Sequence, residues 1–172
     1  MTRRLIFLWA WVLCAACTYA APAAAARTLL VLGDSLSAGY GLPRDQAWVS
    51  LLAERLKQQR IDYTVANASI SGETTLGGLQ RINGVLAQHK PAITYLAYPN
   101  NPTANLWDET AMAQIIAAVG EVGGLVVLDE AYIEYAEGGD LPDGLDFLAA
   151  YPNLLVSRTF SKAYGLASLR VG

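Results

Sequence analysis

Short apolar runs recur along the chain, each giving way to a polar or glycine-containing turn and then to a stretch of helical periodicity, and this alternation constrains the fold more than any other feature. Thr28 to Leu32 (TLLVL) is a continuous apolar run of the kind buried on both faces of a sheet. Ile61–Ala66, Ala92–Tyr98, Leu125–Leu128 and Asn153–Phe160 read as four further strands. Between them, Trp48, Leu51, Leu52 and Leu56 recur at helical spacing behind Asp45, a candidate cap. Leu76, Leu79, Ile82 and Leu86 do the same, as do Met112, Ile115, Ile116 and Val119 ahead of Gly120 and Gly123-Gly124, and a short helix is predicted around Leu145 to Tyr151. Strands alternating with helices imply right-handed crossovers. The expected fold is therefore a three-layer α/β/α domain with a mostly parallel sheet of about five strands. Ligands of such sheets bind beyond the carboxyl ends of the strands.

Not all of the 53% hydrophobic content belongs to that core. Residues 1–26 begin with Arg3 and Arg4, continue in an apolar run from Leu5 to Cys17 and end in small residues, the layout of a secretory signal. Its apolar run is short for a membrane span, which needs about 20 residues; cleavage after Ala20 or within Ala23 to Ala26 is expected, with a retained anchor as the alternative. Both cysteines, Cys14 and Cys17, lie within it, so a mature chain would carry neither disulfide nor thiolate chemistry. Without Arg3 and Arg4, ten basic residues face fifteen acidic ones, and the net charge moves from −3 to −5. No basic cluster stands in the mature chain, which argues against nucleic acid as a partner. The chain is expected to be periplasmic or secreted, with no membrane partner after cleavage and with no metal site.

Chemistry-bearing residues fall into two sets that meet near Lys90–Asn101 (KPAITYLAYPNN). In residues 27–93, Gly33-Asp34-Ser35 follows the first strand at once and SISGETT (Ser69 to Thr75) follows the second. TLLVLGDSLSAGYG followed by NASISGETT resembles the first two blocks of the SGNH hydrolases, in particular the periplasmic arylesterase, thioesterase and lysophospholipase group. The resemblance implies Ser35 as nucleophile and the backbone N–H groups of Ser35 and Gly72 as oxyanion donors; alone, Ser35 reads equally as a cap or turn residue, and Gly72 as a turn glycine. The family's third block is replaced by PNNP, and its Asp-x-x-His block is absent. The single histidine, His89, closes a helix of about 15 residues, about 22 Å long, that leads away from Ser35. Without a base Ser35 is an ordinary alcohol.

Residues 94–172 carry YPNNPTAN, VVLDEAYIEYA and YPNLLVSRTFSKAYGLASLRVG. In that order and spacing they resemble histidinol-phosphate aminotransferases, fold-type I pyridoxal-phosphate enzymes. The resemblance implies Lys162 as the Schiff-base lysine and Asp129 as partner of the pyridinium nitrogen. It further implies Asn101 and Tyr132 on the ring's phenolic oxygen, and Ser161 and Arg170 on the phosphate. Singly, Asp129 would pass for a strand-end aspartate and Lys162 for a surface lysine. Ala104 and Ser168 stand where that family usually has glycine, and its upstream phosphate loop and ring-stacking aromatic have no counterpart.

The expectation is a chimeric, truncated chain that joins a serine-hydrolase half to an aminotransferase segment and carries full activity of neither. The alternatives are a secreted ester hydrolase acting through Ser35 and a fragment that binds pyridoxal phosphate weakly. Its ligands would be a small ester or an amino-acid phosphate, and the second half's resemblance points to the cytoplasm where the first 26 residues point to export. Ser35, Gly72, Asn101, Asp129 and Lys162 are all expected at the carboxyl edge of one sheet.

Overall fold

The computed structural model describes residues 27–99, 106–136 and 141–169. Five strands, β1 (Arg27–Leu32), β2 (Tyr63–Asn67), β3 (Ile93–Ala97), β4 (Leu125–Asp129) and β5 (Leu154–Ser157), form one all-parallel sheet in the order β2-β1-β3-β4-β5. The connecting helices are α1 (Ser35–Ala38), α2 (Trp48–Gln58), α3 (Thr75–His89), α4 (Glu109–Glu121) and α5 (Gly144–Phe147). The expected fold class holds, and the sheet runs unbroken across the junction between the two motif sets: β1 pairs with β3 from Leu29↔Ile93 to Leu32↔Leu96.

The sheet is covered unequally. Along β3 and β4 burial alternates residue by residue: Thr94, Leu96, Val126 and Leu128 are buried, while Tyr95, Ala97, Val127 and Asp129 are half-buried. Successive strand residues point to opposite faces, so one face of this half of the sheet is closed and the other partly open. The closed face packs against Ile82 and Leu86 of α3 and Met112, Ile115, Ile116 and Val119 of α4. Each of these side chains is nearly inaccessible, and each such burial is worth about 1.5–3 kcal/mol. On the open face Trp48, at the start of α2, meets Tyr95 edge to face with ring centroids 5.5 Å apart.

Local details differ from the sequence expectation: α5 ends at Phe147 rather than near Tyr151, Leu51 and Leu76 of the expected apolar helix faces are exposed, and two further differences have a plain cause. Asp45 does not cap α2: Arg44–Gln46 form a 3₁₀ turn closed by Gln46 N–H to the Pro43 carbonyl (2.9 Å). Ala47 then precedes the helix with no side-chain cap. The turn occupies the residues that a capping aspartate would have to leave extended. At the other end, β5 stops at Ser157 rather than Phe160, because β4 ends opposite it at Asp129 and the ladder closes with Glu130 N–H to the Ser157 carbonyl (2.8 Å). Beyond that point the neighbouring chain turns away, and the strand has nothing to pair with.

Candidate functional site

Two structures occupy the carboxyl edge. The first is a serine corner. Asp34 caps α1 through Leu36 N–H to Asp34 Oδ1 (3.1 Å), which leaves Ser35 half-buried as the first helical residue. Gly33 is needed there, since a Cβ would lie 2.9 Å from Ser37 Oγ. The loop after β2 is laced to this corner by Ala68 N–H to the Val31 carbonyl (2.9 Å) and Ile70 N–H to the Gly33 carbonyl (3.1 Å). That loop closes with Glu73 N–H to the Ile70 carbonyl (3.1 Å), and Gly72 sits in it at φ 77°, a left-handed conformation glycine adopts without penalty. Ser35 and Gly72 therefore share one rim. His89 does not: it ends α3 beside Lys90, where Ala92 N–H reaches the carbonyl of Thr28 near the start of β1.

The second structure is a cleft of about 180 Å³ on the open face, at the ends of β3 and β4. Asp129 lies in it with both carboxylate oxygens engaged. Tyr95 donates its hydroxyl to Oδ2, and Ala131 N–H donates to Oδ1 at 3.2 Å. Burial first, then the hydrogen bond to Asp129 and its negative charge, push the Tyr95 phenol well above the ordinary tyrosine range, so it stays the donor. Tyr132 also lines the cleft, and the Lys162 ammonium lies 5.2 Å from the centroid of its ring, within cation–π range. The structure thus assembles Asp129, Tyr132 and Lys162 from the ends of two strands. Ser161 follows β5 half-buried, its N–H bonded to Thr159 Oγ1 (3.1 Å), while Asn101 and Arg170 lie outside the described residues. Trp48, Leu36 and Ser37 line the same cleft from the other side. The sequence reading did not single out Trp48 or Tyr95 for this site; period-2 alternation places Tyr95 on a face but is silent about what lies opposite.

Behind Asp129, on the closed face, its neighbour Glu130 is wholly inaccessible. Arg158 donates through Nε (2.9 Å) and Nη2 (2.8 Å) to Glu130 Oε2, while Gly144 N–H donates to Oε1 (2.7 Å). Arg158 also pairs with Asp143. Burial pushes the Glu130 carboxyl up against the lowering effect of these bonds and of the Arg158 charge. The network ties the turn after β4 to the first residue beyond β5 and to the start of α5.

Comparison with known proteins recovers both halves. The profile for aminotransferase class I and II matches residues 58–172. Histidinol-phosphate aminotransferase 2 of Pseudomonas fluorescens (strain Pf0-1) is 69% identical over 80 residues, covering 46% of this chain and 21% of that protein. The chain thus spans about a fifth of the length of that curated relative. Among solved structures, the psychrotrophic esterase EstA from Pseudoalteromonas sp. superposes with a TM-score of 0.59 at 25% identity, covering 84% of both chains. Histidinol-phosphate aminotransferase from Sinorhizobium meliloti, solved with pyridoxal-5'-phosphate, gives 0.56 at 27% identity over 84% of this chain and 35% of that one.

Proposed function

Because the chain belongs to the class I and II aminotransferase family, we propose that its open-face cleft binds pyridoxal phosphate, and that the chain is a chimera joining this site to a hydrolase-type serine corner with full activity of neither. One observation carries the reading: a carboxylate fixed by two donors, Tyr95 and Ala131 N–H, opens on a cleft that Tyr132 lines, with Lys162 over the Tyr132 ring. The donor set fits the cofactor that the family implies. When bound, pyridoxal phosphate supplies an electron sink for bond breaking at an amino-acid carbon. Asp129 would hold the proton of the ring nitrogen, Tyr132 would face the phenolic oxygen, and Lys162 would present its amine to the aldehyde and carry protons. Ser161, Asn101 and Arg170 are the proposed contacts to the remaining polar groups.

The cleft is bounded by a half-buried sheet face and shared with water, and polar contacts that compete with water contribute little each. Weak binding follows, with no transamination of histidinol phosphate. Titration with pyridoxal phosphate, borohydride reduction and mass-spectrometric mapping test this. The pyridoxyl label is expected on Lys162 in preference to Lys57 and Lys90, and it is expected to vanish in Asp129→Ala. Equal labelling of the three lysines would refute the site.

Residues 1–26 lie outside the described residues, and we propose that they direct export. Protein recovered from a bacterial periplasm should begin between Ala21 and Arg27 on N-terminal sequencing. An intact Met1 on soluble protein would overturn the assignment.

A further inference from the structure

We infer that the cavity between α2 and the β2 edge of the sheet binds a small aliphatic carboxylate. Arg44 and the uncapped N-terminus of α2 hold its charge, and Ala53 and Val65 receive its hydrocarbon chain. The site is distinct from the open-face cleft and from the serine corner: none of Ser35, Gly72, Asp129 or Lys162 lines it.

The cavity has a volume of about 280 Å³. Val65 and Asn67 of β2 pair with Leu29 and Val31 of β1, and Val31 pairs in turn with Tyr95. These residues therefore lie on the sheet face that α2 covers. Among the described residues that line the cavity, Arg44 alone is charged, and it forms no ion pair; Asp45, next in the chain, does not line it. The segment leading to Arg44 is pressed onto the start of α2 at Gly39, where a Cβ would lie 2.7 Å from that of Ala47. α2 has 11 residues, no side-chain cap and no acidic residue in its first turn. Its first intrahelical bond runs from Leu51 N–H to the Ala47 carbonyl (3.0 Å). The N–H groups of Trp48, Val49 and Ser50 thus have no partner among the described residues, and Val49 and Ser50 line the cavity. Free donors at the positive end of a helix dipole, beside a guanidinium, favour an anion. Ser69 lines the cavity as well, and its hydroxyl oxygen is buried with no hydrogen-bond partner among the described residues. Asn67 is already committed: its Nδ2 donates to the Ser37 carbonyl (2.7 Å) and its Oδ1 accepts from Ser69 N–H (3.0 Å), which fixes the wall. Ala53 and Val65 make the rest of the lining apolar, so a carboxylate with a short hydrocarbon chain is favoured over inorganic phosphate. An apolar cavity of about 150 Å³ takes benzene, and on that scale an acid of about four to six carbons fits here.

Equilibrium dialysis of the full chain against radiolabelled butyrate tests this, and saturable uptake is expected. Butylamine, of similar shape and opposite charge, should not compete, and inorganic phosphate should compete about tenfold more weakly than unlabelled butyrate. Arg44→Ala should weaken uptake about tenfold or more, the range for a hydrogen bond to a charged group. Ala53→Leu, which fills the cavity and leaves its polar groups in place, should abolish uptake. Ser35→Ala should leave it unchanged. Urea midpoints establish that each variant is folded. Should Arg44→Ala or Ala53→Leu not fold, nuclear Overhauser effects between the butyrate methyl protons and the Val65 methyl groups decide in the unaltered chain; their presence supports the site and their absence overturns it. No saturable uptake by wild type, unchanged uptake in Arg44→Ala or Ala53→Leu, or competition by butylamine would each overturn the proposal. Phosphate competing as well as butyrate would refute the carboxylate assignment. Loss of uptake in Ser35→Ala would place the acid at the serine corner and sink this site.

Discussion

Arg158→Ala is expected to destabilise the fold by about 3–5 kcal/mol, the range for removing one partner of a buried ion pair. Glu130 is wholly inaccessible, and Arg158 supplies its only charged partner among the described residues. Truncating the arginine strands a carboxylate whose desolvation nothing offsets except Gly144 N–H. The pH dependence has a definite sign. The folded Glu130 carboxyl already lies above its ordinary value of 4.5, chiefly through burial, and losing Arg158 drives it further up. A carboxyl raised in the folded state costs nothing below its unfolded value and takes stability away as pH rises toward its folded value. The deficit of Arg158→Ala should therefore be smallest near pH 4 and largest at neutral pH. Urea unfolding across that range measures both. Combining Arg158→Met with Glu130→Gln should recover more than half of the loss, since the amide oxygen still accepts from Gly144 N–H and no charge is left buried. A cost below about 1 kcal/mol for the single variant would show that the pair is solvated and carries little.

Ester hydrolysis should be feeble, and Ser35→Ala should change it little. A serine attacks a carbonyl only when a base within about 2.6–3.2 Å takes its proton. The chain's single histidine ends α3, a 15-residue helix that begins on the Ser35 side of the sheet and is about 22 Å long. What the corner retains is Ser35 and Gly72 on one rim, with the backbone N–H groups that the hydrolase resemblance implies as oxyanion donors but with no group among the described residues to take the serine proton. Enzymes stripped of a triad member keep about 10³- to 10⁴-fold of catalysis over water, several orders of magnitude below an intact triad. An activated aryl ester assayed with wild type and Ser35→Ala should give rates of that low order, within a few-fold of each other. Brisk turnover that disappears in Ser35→Ala would refute this and reveal a replacement base, with Lys162 the first to test.

The motifs are short-range objects, and so is the information they carry. Gly33-Asp34-Ser35 marks the end of the first strand, but of its polar residues the cap of the short helix that follows is Asp34, whereas the sequence reading has Ser35 as the possible cap. Asp45 shows the limit of such local reading. Aspartate before a helical pattern is a sound capping signal, yet the 3₁₀ turn that closes on the Pro43 carbonyl claimed it first. The end of β5 was likewise misplaced by three residues, because a strand lasts only as long as its neighbour, and the neighbour is not encoded in the strand.

Alternating apolar runs and helical periods by themselves determined the layer architecture, the parallel sheet and the edge at which Ser35, Gly72, Asp129 and Lys162 gather. Right-handed crossovers leave every strand pointing the same way, so residues that follow strands must share one edge. Tertiary structure alone decided which of them meet. Asp129 stands opposite Ala97 on one side and Ser157 on the other, Tyr95 reaches it across 34 residues of sequence, and Trp48 closes the cleft from a helix in the other half. Glu130, one residue on, points to the closed face and meets Arg158, 28 residues away, instead of solvent. The physical reason is that periodicity records which face of an element is buried, whereas register and helix seating follow from packing the whole sheet at once.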